Sequence, residues 1–170
     1  MNWVVSDSRS RNCPNGTVAN MSLGGGYSSA INSAATAITN AGVFLAVAAG
    51  NENVNAANTS PASASSACTV GAIASPNSKA SYSNYGAVVD IHAPGSNILS
   101  TWIGSNTATN TISGTSMASP HIAGLGAYLL TLYGKKTPTA LCTYIANTAL
   151  SGVITGLPSG TVNRLAYNGL

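Results

Sequence analysis

The feature that most constrains the fold is a short, uninterrupted apolar segment in the first third of the chain. Residues Val43–Ala48 are all apolar, with Gly42 before them and Gly50 shortly after. A run of this length between turn residues is typical of a strand buried on both faces, as in parallel sheets. Residues 17–23 predict an earlier strand, and residues 27–41 predict the helix between the two, with Gly42 at its C′ position. Strand, helix and strand form a βαβ unit, so the sequence predicts an α/β fold with a mainly parallel sheet.

The rest of the chain predicts further short strands and two more helices. Strands are expected at residues 68–73, 88–91 and 98–102, and helices at residues 117–133 and Pro138–Thr148. Residues 51–66 are polar and predict a loop, and the segment after residue 152 is rich in turn residues. No internal repeat or linker divides the 170 residues, which therefore predict a single domain.

Composition excludes several classes of partner. Only 5% of the residues are charged, and the net charge of +3 comes from six basic residues that are spread along the chain. They form no cluster able to follow a phosphate backbone, so no nucleic-acid partner is expected. No apolar run approaches the roughly 20 residues that span a bilayer, so no membrane partner is expected.

The strongest functional signal is the nine-residue string Ser-Gly-Thr-Ser-Met-Ala-Ser-Pro-His at positions 113–121. It places Ser116 where a loop is predicted to enter a helix, so that free backbone N–H groups and the helix dipole favour negative charge there. A nucleophilic serine benefits from that field when a substrate carbonyl becomes an oxyanion. Pro120 is expected within the first helical turn, where no N–H is needed. The simpler alternative is that Ser116 only caps the helix.

This string, taken with several others, resembles the subtilase family. Matching segments follow in the family's order: Ser22-Leu23-Gly24-Gly25-Gly26, then residues 47–51 (Val-Ala-Ala-Gly-Asn), 81–86 (Ser-Tyr-Ser-Asn-Tyr-Gly) and 93–95 (Ala-Pro-Gly). Residues 11–14 and 100–104 are similar to the proteinase K branch, which includes fungal cuticle-degrading proteases. The resemblance implies a subtilisin-like fold, with helices on both faces of the sheet, and a secreted serine endopeptidase. Its partners would be protein or peptide substrates.

The resemblance also implies roles for individual residues. Ser116 would be the nucleophile, and the Asn51 amide would donate to the oxyanion together with the Ser116 backbone N–H. The segment Ser22, Leu23, Gly24, Gly25 and Gly26 would pair with substrate backbone, and Ala48, Ala49 and Gly50 would form one wall of the primary specificity pocket. An asparagine that only satisfies its own loop is the alternative for Asn51.

The family's catalytic aspartate and histidine motifs do not occur in the sequence. Its histidines are His92 and His121, and both are interpreted as structural. On the order of a hundred upstream residues, with several strands of the sheet, are therefore expected to be missing. Residues 1–170 would be the C-terminal portion of one catalytic domain, and the missing N-terminal part would be a partner. A non-catalytic secreted binding module, or a truncated and inactive gene product, is the alternative.

Cysteines and one aspartate complete the set of implied sites. The chain has three cysteines, an odd number. The resemblance implies a Cys68–Cys142 disulfide and a partner for Cys13 in the missing part. It also implies a structural calcium ion held by Asp90 and the carbonyls of Ser65 and Ala67, although the family usually has proline where Ser65 stands. Asp90 as a hydrogen-bond acceptor at a strand end is the alternative.

Overall fold

The computed structural model describes residues 1–169. Four α-helices span Asn2–Ser10 (α1), Ser29–Asn40 (α2), Thr115–Tyr133 (α3) and Pro138–Thr148 (α4). The strands are Thr17–Met21 (β1), Gly25–Gly26 (β2), Val43–Ala48 (β3), Thr59–Ser60 (β4), Cys68–Ala74 (β5), Ser78–Lys79 (β6), Ile91–Pro94 (β7), Ile98–Thr101 (β8), Thr109–Ile112 (β9), Leu150–Ser151 (β10) and Arg164–Leu165 (β11). Among the residues that the structure describes, no helix is both long and apolar enough for a membrane span.

A mainly parallel sheet forms the centre of the molecule, in the order β1-β3-β5-β7-β11-β10. The first four strands and β11 pair in parallel, whereas β10 and the short β6 add antiparallel pairs at the periphery. The α/β fold and the parallel sheet predicted from the sequence are thereby confirmed.

Strand β3 contributes to two separate cores because its alternate side chains point to opposite faces. Val43, Leu45 and Val47 pack in one apolar cluster with Ala35 and Ile38 of α2. Phe44 and Ala46 pack in the other, whose members include residues of α3 and α4. All six β3 residues are buried, as the uninterrupted apolar run predicts. Helices therefore cover both faces of the sheet.

Helix α3 lies close against the sheet because small residues allow the approach. A Cβ on Gly126 would come within 2.7 Å of the Phe44 ring. A Cβ on Gly95, just after β7, would lie 2.5 Å from the Ala72 side chain and 2.8 Å from the Gly114 carbonyl. The Gly114 N–H also donates to the Gly95 carbonyl at 2.8 Å. These contacts hold the start of α3 against the carboxyl ends of the strands.

One predicted strand is displaced in the structure, and one strand is not predicted by the sequence. The strand expected at residues 88–91 begins only at Ile91, because Val89 closes a turn by donating its N–H to the Gly86 carbonyl. The strand expected at residues 98–102 is confirmed as Ile98–Thr101, and it pairs with Thr109–Ile112 in a separate two-stranded hairpin. The partner strand β9 is partly exposed and consists mainly of polar residues, so no apolar pattern in the sequence predicts it.

Candidate active site

The segments that the sequence singled out meet at one edge of the sheet. Ser22 follows β1 directly and Asn51 lies shortly after β3, so both are at the carboxyl ends of parallel strands. The N-terminus of α3, with Thr115 and Ser116, faces the same place. In open α/β sheets this edge is where ligands usually bind. The fold therefore gathers the predicted nucleophile, amide and glycine-rich segment into one site.

Ser116 is the second residue of α3, and its side chain is directed toward β1. Its hydroxyl donates a long hydrogen bond, 3.3 Å, to the Ser22 carbonyl. The backbone N–H of a second helical residue has no intrahelical acceptor and is free to bind an oxyanion. The side chain of Ser116 does not cap the helix. Its hydroxyl and its N–H are thus both available to a ligand.

Pro120 does not lie in the first turn, as the sequence analysis expected. It is the sixth residue of α3, so its position would normally supply the N–H that bonds to the Ser116 carbonyl. Proline has no N–H, and the carbonyl is left without its helical donor. The Ser22 hydroxyl takes that place and donates to the Ser116 carbonyl at 2.7 Å.

The Asn51 amide is oriented by Thr115. The Asn51 Oδ1 atom accepts from the Thr115 N–H and from the Thr115 hydroxyl, each at 2.8 Å. The same hydroxyl accepts from the Gly50 N–H at 3.1 Å. Because Oδ1 is occupied on one side, Nδ2 is directed away from Thr115, and no hydrogen-bond acceptor lies against it within residues 1–169. Thr115 is fully buried and was overlooked as a site residue, although it belongs to the nine-residue string.

A second overlooked residue, Asn84, holds the loop that carries Asn51. Its Oδ1 accepts from the N–H groups of Glu52 and Val54 at 3.1 and 3.0 Å, and its Nδ2 donates to the Ala49 carbonyl at 2.9 Å. Glu52 Oε2 accepts from Asn84 Nδ2 and from the Asn51 N–H, both at 2.9 Å. Because Asn84 is buried and bonds the loop at both ends, it fixes the path of the loop. It belongs to the string at residues 81–86, which resembles the subtilase family.

A small cavity separates the glycine-rich segment from the end of β3. Its lining includes most of the residues that the resemblance implies for the site, together with Glu52 and Thr115, namely Leu23, Gly24, Gly25, Ala48, Ala49, Gly50, Asn51, Glu52, Thr115 and Ser116. Gly50 has φ 104°, and a Cβ there would overlap Asn84 and lie 2.7 Å from Glu52 Oε2, so no side chain can occupy this wall. Gly26 does not line the cavity and instead pairs with Thr59.

The two histidines are not in contact with Ser116. His121 Nδ1 hydrogen-bonds the Met117 carbonyl at 2.7 Å on the same helix. His92 is fully buried in β7, and neither of its ring nitrogens has a hydrogen-bond partner in the described chain. Burial lowers the pKa of His92 to about 4 and outweighs the nearby Arg164 backbone, which raises it, while the positive charge of Lys79 adds to the lowering.

The second cavity, of about 220 Å³, lies beside the disulfide. Cys68 and Cys142 are bonded, and Cys13 is a free thiol. Asp90, Ser65 and Ala67 line the cavity, as does Arg164. Asp90 Oδ2 accepts from the Thr69 N–H at 2.7 Å. Burial raises the pKa of Asp90, whereas the Thr69 N–H and the nearby charge of Arg164 lower it.

The fold and the site together are those of an α/β protein with a serine at a helix N-terminus and an oriented amide beside it, an arrangement suited to acyl transfer. The description "Subtilase family" fits residues 5–169, and the chain belongs to that family. It is 69% identical to the subtilisin-like serine protease AsES of Sarocladium strictum and 66% identical to the cuticle-degrading protease of Metarhizium anisopliae. In both comparisons 99% of this chain matches 43% of the relative, so the chain spans less than half their length.

A solved structure, that of a cold-adapted subtilisin-like serine proteinase, shows the same fold. The TM-score is 0.90 at 42% sequence identity, over 98% of this chain and 58% of the other.

Proposed function

We propose that the chain carries the nucleophile and the oxyanion-binding groups of a serine endopeptidase. The observation that carries the proposal is the convergence of the Ser116 hydroxyl, the Ser116 N–H and the Asn51 amide at the carboxyl edge of the sheet. Relatives that are 66–69% identical to the chain are named as serine and cuticle-degrading proteases, which supports the same reading.

In the proposed reaction, Ser116 Oγ forms a bond to the scissile carbonyl carbon, and its proton passes to a general base. The carbonyl oxygen becomes an oxyanion that accepts from the Ser116 N–H and Asn51 Nδ2. Collapse of this intermediate expels the amine, which takes up the proton, and leaves an acyl-enzyme that water hydrolyses. His121 bonds the Met117 carbonyl and His92 is fully buried in β7, so we propose that the base comes from outside these 170 residues, from an N-terminal part of the same domain.

The glycine-rich segment is suited to bind substrate backbone. A Cβ at Gly25 or Gly26 would meet nothing within 4 Å, so crowding by neighbouring atoms does not explain why these two positions lack side chains. Their absence leaves an open edge that an extended peptide can approach. We propose that an aliphatic or aromatic substrate side chain enters the cavity beside Ala48, Ala49 and Gly50.

The cavity beside the disulfide fits a hard cation in its donor set. One carboxylate and two carbonyl-bearing residues line it together, and oxygen donors of this kind suit calcium. The sulfurs of Cys68 and Cys142 lie within 4.8 Å of the Asp90 carboxylate but are bonded to each other, so they are not thiolate ligands. We propose a structural calcium site at Asp90, with secretion as the setting in which the disulfide and the ion persist.

The proposal is tested on the full-length protein that contains this chain. A fluorophosphonate probe should label Ser116, and a chromogenic peptide should be hydrolysed. Ser116→Ala should abolish both, whereas Ser105→Ala, at an exposed serine of the β8–β9 turn, should change neither. Asn51→Ala should lower kcat by about 10²–10³, the loss measured for such a donor in a bacterial subtilisin.

The 170-residue chain alone should be nearly inert, because loss of the histidine in that subtilisin lowers kcat by roughly 10⁶. Peptide binding without labelling or turnover in the full-length protein would favour a non-catalytic binding module instead.

A further inference from the structure

The Ser22 side chain forms hydrogen bonds to α3, the helix that carries Ser116, although only the Ser22 backbone is expected to bind substrate. Its hydroxyl lies 2.7 Å from the Ser116 carbonyl, 2.9 Å from Asn20 Nδ2 and 3.1 Å from the Ser119 hydroxyl. A serine hydroxyl has one proton to donate and two lone pairs that accept. The three contacts therefore use the single donor and both acceptor positions of the Ser22 hydroxyl.

The directions of these bonds follow from the chemistry of the neighbours. The Ser116 carbonyl can only accept, so the Ser22 proton is directed to it. The Asn20 amide nitrogen can only donate, so it occupies one lone pair of Ser22. Ser119, which is fully buried, must then donate to the other lone pair. The arrangement leaves one role for the Ser22 hydroxyl, that of donor to Ser116.

That role exists only because of Pro120. In a regular helix the residue at position 120 would donate its N–H to the Ser116 carbonyl, but proline has none, and its ring crowds that carbonyl. The carbonyl is thus turned toward β1, where Ser22 meets it. The Ser116 hydroxyl meanwhile donates to the Ser22 carbonyl at 3.3 Å, so the two residues are linked in both directions.

We propose that the Ser22 hydroxyl is a positioning group for the nucleophile, which replaces the helical N–H that Pro120 removes. This inference rests on the proposed function of Ser116. The bond ties the nucleophile's peptide unit to the segment that would pair with substrate, and it would thereby help to align the nucleophile with the substrate. Since Ser22 presents its backbone to substrate but its hydroxyl to Ser116, loss of the hydroxyl should lower kcat more than it raises KM.

The test is a double-mutant cycle between Ser22→Ala and Pro120→Ala in the full-length protein. Ser22→Ala should lower kcat about three- to tenfold, the effect of one neutral hydrogen bond. Pro120→Ala supplies the missing N–H, so in that background Ser22→Ala should change kcat less than about twofold. Ser22→Thr keeps the hydroxyl at an exposed position and should recover most of the kcat that Ser22→Ala loses.

Ser119→Ala is the matched control in the same network. It removes a donor to Ser22 but leaves the bond between Ser22 and Ser116, so its effect should be the same in the parent protein and in the Pro120→Ala variant. Equal losses from Ser22→Ala in those two backgrounds would overturn the inference. A KM increase without a change in kcat would also overturn it.

The two proposals fail in different ways. Activity that survives Ser116→Ala would refute the proposed function. If Ser116→Ala abolishes labelling and turnover while the Ser22 and Pro120 effects are additive, only the positioning role is refuted.

Discussion

Asn51 and Thr115 are bound to each other through two hydrogen bonds on a single atom, the Asn51 Oδ1, at 2.8 Å each. One donor is the Thr115 backbone N–H, which is free because it belongs to the first residue of α3. The other is the Thr115 hydroxyl, which is buried and also accepts from Gly50. The helix start therefore both presents the candidate nucleophile and aims the amide that would serve it.

Thr115→Val should reduce kcat of the full-length protein about tenfold, because it removes one of the two bonds that hold the amide and leaves the Gly50 N–H without an acceptor. The change should be much smaller in an Asn51→Ala background, where no amide remains to be aimed. Thr115→Ser keeps the hydroxyl and is the matched control. Steady-state kinetics of the parent, the two single variants and the double variant measure this coupling, and additive effects would contradict it.

Secondary-structure elements that depend on short-range sequence patterns could be predicted from the sequence. Val43–Ala48 was assigned correctly because burial on both faces leaves an uninterrupted apolar run. Helix α4 also has the predicted bounds, since Thr137 caps it and Pro138 begins it. The roles of Ser116, Asn51 and Ser22 are implied by the resemblance alone, and their meeting at the carboxyl edge of the sheet is a finding of the structure.

Long-range hydrogen bonds were beyond the reach of the sequence pattern. The bond between the Ser22 hydroxyl and the Ser116 carbonyl joins residues 94 positions apart. Asn84 binds a loop 30–35 positions before it, and nothing in its neighbours marks it as buried. The sequence places Pro120 in the first helical turn because it predicts a helix from residue 117, whereas α3 begins two residues earlier, at Thr115. Helix ends are the least certain part of a sequence prediction.

The Cys68–Cys142 disulfide should stabilise the fold considerably. It links β5 to α4 across a sequence separation of 74 residues. The loop-entropy relation gives roughly 4 kcal/mol for a loop of this length, and measured gains are often smaller. In the full-length protein, the double substitution Cys68→Ala with Cys142→Ala should lower the free energy of unfolding accordingly. Non-reducing peptide mapping checks the pairing, and a Cys13–Cys68 or Cys13–Cys142 peptide would contradict it.

His92 should make the protein less stable in mild acid. Burial lowers its pKa to about 4, whereas an unfolded histidine has a pKa near 6.5. Between these values the unfolded chain binds a proton that the folded chain does not, so stability falls as the pH decreases from 6.5 to 4. Integrated over that window, the loss is roughly 3 kcal/mol.

Replacement with an aromatic residue isolates this contribution. His92→Phe removes the proton site, so the free energy of unfolding should depend less on pH between 6.5 and 4. All other ionisable groups are common to the two proteins, so the difference between their pH profiles isolates His92. Denaturant unfolding at several pH values provides the comparison, and parallel pH profiles would show that His92 is not responsible.

Arg164 should weaken cation binding at Asp90. Both residues line the cavity beside the disulfide, and the guanidinium charge already offsets part of the carboxylate's negative charge. Arg164→Leu removes a positive charge that repels an incoming calcium ion, so calcium should bind about tenfold more tightly, on the order of 1 kcal/mol for a unit charge in a partly solvated site. Calorimetric titration of the full-length protein with calcium chloride measures this. Asp90→Asn should abolish the binding, and Arg9→Leu, on the exposed α1, should leave it unchanged.

Arg164→Leu should lower the stability in a chelator and lower it less, or not at all, in excess calcium. In a chelator, Arg164→Leu takes away the positive charge that offsets Asp90, so the unfolding temperature should fall. In excess calcium the tighter ion should stabilise the folded state by mass action and recover that loss. A calcium affinity that is the same in the parent protein and in the Arg164→Leu variant would show that the arginine does not act on the cation. Failure of both proteins to bind calcium would instead argue that Asp90 is a simple acceptor for the Thr69 N–H.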